Sequence, residues 1–198
     1  EPYRAKRAVF FAAGFGSRLV PITLNTPKPM IRVRGVRIIQ RLIDAVRAAG
    51  IEEIYVVRGY LPREFEVLKL ENPDIRFIDN PLYDSTNNIS SAVVAADVMR
   101  DAYVFESDLL LRNPSLITRY QYATNYIGVP VEHTDDWCLT VEDGRATHIA
   151  KGGDNCYHLF GISYWTDADG RRLADRLRTV FEREDGKQIF WDDVALNW

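Results

Sequence analysis

The sequence predicts an α/β fold in which a doubly wound, mostly parallel (mixed) sheet carries helices on both faces. Short apolar runs alternate with segments of helical periodicity through the first 110 residues. A glycine-rich turn follows directly on the first apolar run, where a buried strand would end. In the second half, Asp143-Gly144 separates two strand-like runs, which is typical of a tight β-hairpin turn. We therefore expect a small hairpin elaboration added to the main sheet.

The elements of the first half follow from these periodicities. Between residues 37 and 49 apolar side chains recur at helical spacing, and Gly50 is well placed to end that helix. Ligands of such sheets bind beyond the carboxyl ends of the strands, so we expect the glycine turn, Tyr60, Asn80 and Asp108 along one edge. The predicted strands are 8–11, 54–57, 75–78 and 102–105, and the other predicted helices are 62–70 and 88 to about 99.

The second half reads as further strands and one amphipathic helix, without internal repeats. Its predicted strands are 126–131, 137–141, 146–150 and 159–165, and its helix runs from 167 to about 181. We expect residues 1–198 to form a single domain. The chain begins without a methionine and stops at Trp198 within a helix-like segment, so we expect it to be excised from a longer chain, with room for a fused neighbouring domain.

Composition and charge narrow the function classes. The net charge of -3 gives no reason to expect a nucleic-acid partner. No apolar run approaches the length of a membrane-spanning helix, and no signal peptide is recognisable, so we expect no membrane insertion. Cys138 and Cys156 are too few for a disulfide framework, so reduced thiols and a cytoplasmic location are expected.

The glycine-rich turn has the chemistry of a phosphate site. Gly14 and Gly16 allow positive φ angles and leave no Cβ atom between the backbone and a ligand. Successive backbone N–H groups in such a turn form a concave anion site. Arg18 adds a forked cation, and Lys28 adds a second cation held between two prolines. Together they predict a site for a triphosphate.

Two common phosphate-binding motifs do not fit this turn. The dinucleotide fingerprint requires a third glycine where this chain has Leu19. A P-loop would end in Gly-Lys-Ser or Gly-Lys-Thr, and no such triplet follows. Dinucleotide-dependent dehydrogenases and P-loop NTPases are therefore disfavoured. A glycine-rich turn with incidental charges remains as the structural alternative.

The stretch from Ala12 to Thr23 resembles the signature of nucleotidyltransferases that activate sugars and small phosphoalcohols. Its residues match A-A-G-x-G-S/T-R-L-x-P-x-T, and Pro27-Lys28 supplies the P-K that follows. The resemblance implies the Rossmann-like nucleotidyltransferase fold, with residues 1–110 as the nucleotide-binding half and 111–198 as the acceptor-binding half.

Such chemistry uses Mg²⁺ with one or two carboxylates and several waters. Asp108 follows the fourth strand, where a metal-binding aspartate would be useful, and Glu106 shares its face of the extended segment. A second carboxylate has to come from elsewhere in the chain. Asp192 and Asp193 lie near the C-terminus beside aromatic residues.

Over nearly its whole length the chain resembles the bacterial CTP:phosphocholine cytidylyltransferases, which implies CMP transfer from CTP to phosphocholine. The matching segments are the glycine turn through Lys28, Asn87-Asn88, Asp108, 134–137, 160–165 and Trp191-Asp192. The resemblance implies that Asp108 and Asp192 bind Mg²⁺ and that Lys28 and Arg18 are catalytic. It implies a nucleotide-binding set of Ala12, Ala13, Gly14, Phe15, Gly16, Ser17, Arg18, Asn88 and Ser107. The family often has Asp-x-Asp where this chain has Glu106-Ser107-Asp108, which leaves the role of Glu106 open.

The acceptor side is predicted from the chemistry of choline. A quaternary ammonium has no N–H to donate and is best held by aromatic faces. We expect Trp137, Trp191 and one of Tyr164 or Trp165 to supply them, with Glu132 and Asp136 as carboxylates beside the cation. The same carboxylates would suit a primary amine, so phosphoethanolamine and 2-aminoethylphosphonate stay open as acceptors. A sugar-1-phosphate nucleotidyltransferase and a sensing module without turnover are the rival interpretations.

Overall fold

The computed structural model describes residues 2–197, and it confirms the predicted α/β fold with a mixed six-stranded sheet. The strands are β1 Arg7–Phe11, β2 Arg32–Val33, β3 Val36–Arg37, β4 Glu53–Arg58, β5 Arg76–Asp79, β6 Ala102–Glu106, β7 Asn125–Glu142 and β8 Arg145–Trp165. The α-helices are α1 Ile38–Ala48, α2 Glu66–Glu71, α3 Ile89–Ala95, α4 Asp167–Phe181 and α5 Trp191–Asn197. The main sheet has the order β5-β4-β1-β6-β8-β7, and β2 and β3 form a separate two-stranded ribbon.

Four parallel strands bring the predicted ligand edge together. β1 lies between β4 and β6, and Phe11 is in register with both Val57 and Glu106. The glycine turn after β1 and the segment after β6 therefore leave the sheet at the same level. The backbone N–H of Tyr60 donates to Ala13 at 3.0 Å, which holds the connection after β4 beside the turn.

The sheet is covered on both faces, and each face has its own apolar core. Phe10 and Phe105 point to the face packed by α1 and α2, and their rings stack with centroids 4.7 Å apart. Phe11 and Val104, one position along each strand, point to the face packed by α3, α4 and α5. Successive residues of a strand face opposite sides, so neighbouring positions of β1 and β6 enter different cores.

The second half differs from the predicted set of short strands. The segments expected as four strands form two long ones, β7 and β8, joined at Asp143-Gly144 as predicted. Both turn residues have positive φ angles, 49° and 74°, as a tight hairpin requires. The pairing shifts register between Thr134 and Trp137 and again at Cys138, which faces both Ala150 and His158 on β8. Polar and glycine residues at these bends read as strand ends in the sequence, although both strands continue through them.

β8 joins the hairpin to the parallel part of the sheet. It pairs antiparallel with β6 over residues 162–165, so the hairpin extends the main sheet rather than standing apart from it. Within residues 2–197, no helix combines the length and the apolar character needed to cross a membrane.

Candidate active site

A cavity of about 420 Å³ lies at the carboxyl edge of the sheet. It is lined by the glycine turn with Ser17 and Arg18 and by the segment Glu106-Ser107-Asp108. Lys28 and Asn87 also line it. Cations, backbone amides and carboxylates therefore line one space.

The two glycines of the turn have different roles in shaping this wall. Gly16 adopts φ 69°, and its carbonyl accepts a hydrogen bond from the Thr23 hydroxyl at 3.1 Å. A Cβ atom on Gly16 would lie 3.2 Å from both the Lys28 Cβ and the Thr23 Cγ2. A Cβ atom on Gly14 would meet nothing within 4 Å. Gly16 is thus needed for the fold of the turn, whereas Gly14 leaves the cavity open.

Lys28 and Asp108 form an ion pair across the cavity. Lys28 begins a short 3₁₀ turn between its two prolines, and its Nζ contacts the Asp108 Oδ2. Both side chains are partly exposed, 26% and 33% respectively, so a ligand in the cavity can reach them. The Ser107 hydroxyl donates to the Phe11 carbonyl, which ties the end of β6 to the end of β1. The predicted cation and the predicted metal-binding aspartate therefore lie together.

Asp192 lies at the start of α5; it lines neither this cavity nor a smaller one beside it, but its charge acts on Glu106, which lines the cavity. The Asn88 Oδ1 accepts from the Trp191 backbone N–H at 3.0 Å, which ties α5 to α3. The Tyr126 hydroxyl donates to the Asp192 Oδ1 at 3.3 Å. Burial raises the pKa of Asp192 to about 7, although the hydrogen bond from Tyr126 acts in the opposite direction and lowers it. Asp192 is thus a desolvated carboxylate that a cation would stabilise.

Glu106 lies close enough to Asp108 and Asp192 for their negative charges to affect its pKa. Burial, followed by the negative charges of Asp192 and Asp108, raises the pKa of Glu106 to about 8. The indole N–H of Trp191 is buried and makes no hydrogen bond of normal geometry, yet it lies near enough to favour the ionised form of Glu106. The three carboxylates therefore share one region of the protein.

The donor set fits Mg²⁺ rather than a metal held by many side chains. Within residues 2–197, no group of three or more His, Cys, Asp and Glu side chains is placed to hold a metal ion. Mg²⁺ is commonly bound by one or two carboxylates, with waters and phosphates completing the shell. Asp108 and Asp192 have the right chemistry for such a site.

A second cavity of about 220 Å³ adjoins the first, and both are lined by Gly14 and Asn87. Its floor is a buried polar cluster in which the Asn80 amide donates to the Ser90 and Ser91 hydroxyls at 2.9 and 3.1 Å. Ala13, Tyr83, Thr86 and Asn88 also line it. Asn80 lies at the edge predicted from the sequence, whereas the two serines were not predicted. Their signal was two polar residues at inward positions of an otherwise apolar helix face.

The structure brings most of the predicted nucleotide-binding residues to these two cavities. Ala12, Gly14, Gly16, Ser17, Arg18 and Ser107 line the larger one, and Ala13 and Asn88 line the smaller one. Phe15 lines neither. It is partly exposed and packs edge-on against the Tyr60 ring, with centroids 4.7 Å apart.

The predicted acceptor residues are not brought to the cavities. None of Glu132, Asp136, Trp137, Tyr164 and Trp191 lines either one. Glu132 and Asp136 are exposed on β7. Trp137 is half-buried against Phe190, with ring centroids 5.0 Å apart.

Tyr164 requires a correction, because it is a core residue. It is 1% exposed and packs edge-on against Tyr103 at 5.3 Å. Trp165, the alternative, is also buried, on the other face of the sheet beside Trp191. The sequence predicted that only one of the two would face a pocket. Both are buried because each face of β8 is covered at this point.

Trp191 itself is 3% exposed, so its ring faces are occupied by protein neighbours.

The chain is similar to known nucleotidyltransferases in both sequence and fold. A family model described as a MobA-like NTP transferase domain matches residues 8–185. The chain is 37% identical over 194 residues to a 2-aminoethylphosphonate cytidylyltransferase of Lancefieldella rimae, covering 96% of this chain and 79% of that protein. It is 29% identical to a choline-phosphate cytidylyltransferase of Haemophilus influenzae, covering 96% and 83%. The solved CTP:phosphocholine cytidylyltransferase of Streptococcus pneumoniae superposes with a TM-score of 0.89 at 25% identity, covering 98% of this chain and 85% of that one.

Proposed function

This chain belongs to the family of MobA-like NTP transferase domains, and we propose that it transfers CMP from CTP to a small acceptor carrying a phosphonate or phosphate group and an amine. The nucleotidyltransferase activity is common to the relatives that it matches along its length. One observation supports this proposal above the others: the glycine turn, Arg18 and the Lys28–Asp108 ion pair all line the same cavity. We place 2-aminoethylphosphonate first among acceptors.

The two adjoining cavities suit the two parts of a nucleotide. The larger one offers backbone amides and Arg18 to the β- and γ-phosphates. The smaller one offers hydrogen-bonding side chains to the edge of a single-ring base. Because Gly14 lines both, one ligand can occupy both spaces while passing close to the backbone.

The reaction requires positioning and charge stabilisation more than proton transfer. An acceptor oxygen attacks the α-phosphorus in line, and the bond from the α-phosphorus to the bridging oxygen breaks, releasing pyrophosphate. An acceptor phosphate or phosphonate already carries an ionised oxygen at neutral pH, so the attacking oxygen needs no general base. Lys28 would hold the reacting phosphates together at the centre of the cavity. Mg²⁺, held by Asp108 and Asp192, would neutralise charge on the phosphates.

The choice of acceptor follows from what adjoins the larger cavity. Glu106 and Asp108 line it, whereas none of the predicted aromatic side chains does. Carboxylates favour a primary amine, which donates hydrogen bonds. The half-exposed Trp137–Phe190 pair favours phosphocholine as second candidate, because aromatic faces suit a quaternary ammonium. Residues 111–198 are the proposed acceptor half, and the cytoplasm is the proposed location.

A pyrophosphate-release assay with CTP, Mg²⁺ and a panel of acceptors tests this proposal. We expect the highest kcat/KM with 2-aminoethylphosphonate or phosphoethanolamine, and lower values with phosphocholine. Preference for glucose 1-phosphate would overturn the acceptor class. Binding of CTP without turnover of any acceptor would instead support a sensing module.

The variant Lys28→Ala tests the role of the central cation. We expect kcat to fall by about 100-fold or more, because the developing charge loses its fixed partner. The exposed Lys151 on β8 provides the control, and Lys151→Ala should leave kcat unchanged. Near-normal turnover by Lys28→Ala would refute this assignment.

A further inference from the structure

We propose that Glu106 selects acceptors with a primary ammonium group by binding that group directly. The inference rests on the proposed function and assigns it a specificity-determining residue. The resemblance to known cytidylyltransferases left the role of this residue open, because the chain has glutamate where such enzymes often have aspartate.

Glu106 lies at the cavity wall. It is the last residue of β6, and Asp108, in the turn that follows the strand, lines the same cavity. On β8, Gly161 lies against its stem: a Cβ atom there would be 3.1 Å from the Glu106 Cβ and Cγ. Gly161 also has φ 78°, which favours glycine. The stem of Glu106 is therefore packed against β8, and the residue lines the cavity.

Glu106 lacks a cation of its own among the residues that the structure describes. Its charged neighbours are Asp192 and Asp108, both negative, and Lys28, which is already paired with Asp108. No ion pair to Glu106 occurs within residues 2–197. Among residues 2–197, the buried indole N–H of Trp191 also favours its charged form. A partly buried carboxylate in this environment is stabilised by a cation that the ligand brings.

Glu106 is assigned to the acceptor and not to the metal. The three carboxylates influence one another, yet they do not form a group of metal ligands within residues 2–197. A primary ammonium presents three N–H donors and forms short charge-assisted hydrogen bonds with a carboxylate. A trimethylammonium presents none. Glu106 is therefore suited to the former, and each N-methyl group should weaken binding.

The variant Glu106→Gln keeps the shape of the side chain and removes its charge. With 2-aminoethylphosphonate we expect KM to rise by about 10-fold or more, while the KM for CTP changes by less than about 3-fold. With ethylphosphonate, which has no amine, Glu106→Gln and the wild type should be equivalent. The exposed Glu142 at the hairpin tip gives the control, and Glu142→Gln should match the wild type with every acceptor.

Two further measurements separate the alternatives. Mn²⁺ binding to the protein–CTP complex, followed by electron paramagnetic resonance, should weaken by less than about 3-fold in Glu106→Gln, because the lost charge acts on the two aspartates only through space. A larger loss of Mn²⁺ binding, together with equal losses for all acceptors, would overturn the proposal in favour of a metal ligand. In the wild type alone, KM should rise stepwise along the mono-, di- and trimethylamino analogues of 2-aminoethylphosphonate. Equal KM values along that series would overturn it without any variant.

The same experiments distinguish failure of this inference from failure of the proposed function. If the wild type releases no pyrophosphate with any amine-bearing acceptor, the proposed function fails. If the wild type is active and Glu106→Gln keeps the full preference for the amine, only the role of Glu106 fails. Should Glu106→Gln not fold, Glu106→Asp keeps the charge at shorter reach, and an unchanged KM for the amine would contradict direct binding.

Discussion

At the scale of single residues, the glycine turn allows a test that separates ligand binding from folding. A methyl group at Gly14 would meet no protein atom within 4 Å, and it would enter the space that both cavities share. Gly14→Ala should therefore unfold like the wild type in urea while its affinity for CTP falls by about 10-fold or more. Wild-type affinity would mean that the phosphates do not run along this turn.

Two matched variants complete that experiment. Gly16→Ala should lose both stability and CTP affinity, because φ 69° is strained for alanine and the methyl group presses on Lys28. Gly144→Ala places a methyl group at φ 74° in open space at the hairpin turn. It should lose stability alone, by about 1 kcal/mol.

The sequence predicted individual residues well where backbone chemistry decides their position. Lys28 and Asp108 were predicted separately, and the structure places them in contact, although their roles remain predictions. Tyr164 shows the limit. Strand alternation shows that Tyr164 and Trp165 face opposite sides, but it does not show that both sides are covered. That depends on helices distant in the sequence.

At the scale of elements, the close contact between α4 and the segment after α3 depends on Gly170. A Cβ atom on Gly170 would lie 2.3 Å from the Met99 carbonyl oxygen and 2.9 Å from the Arg100 Cα. These are backbone atoms, so Gly170→Ala has to move the helix, and we expect a loss of about 2–3 kcal/mol in the free energy of unfolding. Arg176→Ala, at an exposed position of α4, should change it by less than about 0.5 kcal/mol. A stable Gly170→Ala would show that α4 can shift freely.

The element boundaries show which signals the sequence contains. The Asp143-Gly144 turn was predicted correctly because its residue types are specific to a backbone conformation. The continuity of β7 and β8 was missed, because register shifts let polar residues stand inside a strand. The position of a bulge depends on the strand with which a segment pairs, and the local periodicity of a sequence does not identify that strand.

At the scale of the whole molecule, the buried carboxylates should govern how stability depends on pH. The folded pKa values of Glu106 and Asp192, about 8 and about 7, lie above the ordinary values of 4.5 and 3.8. At pH values between the ordinary pKa and the folded pKa of each group, the folded protein binds more protons than the unfolded chain. The free energy of unfolding of the metal-free protein should therefore fall as pH rises from about 5 to about 8, because stability decreases wherever the folded state holds the extra protons.

The groups that face these carboxylates decide how the experiment is read. Glu106 faces Asp192, Asp108 and Lys28, and Asp192 faces Tyr126 and Asp193. The pKa of the exposed His133 is also raised, chiefly by its hydrogen bond to Asp154, and it titrates in an overlapping range with the same sign. Urea unfolding of the wild type should therefore be compared with Glu106→Gln at each pH. The variant should show a weaker decline, because it lacks one of the extra protons. A decline equal to that of the wild type would mean that Glu106 is ionised in the folded, metal-free protein. Glu106 would then bind no extra proton on folding and would not contribute to the pH dependence of stability.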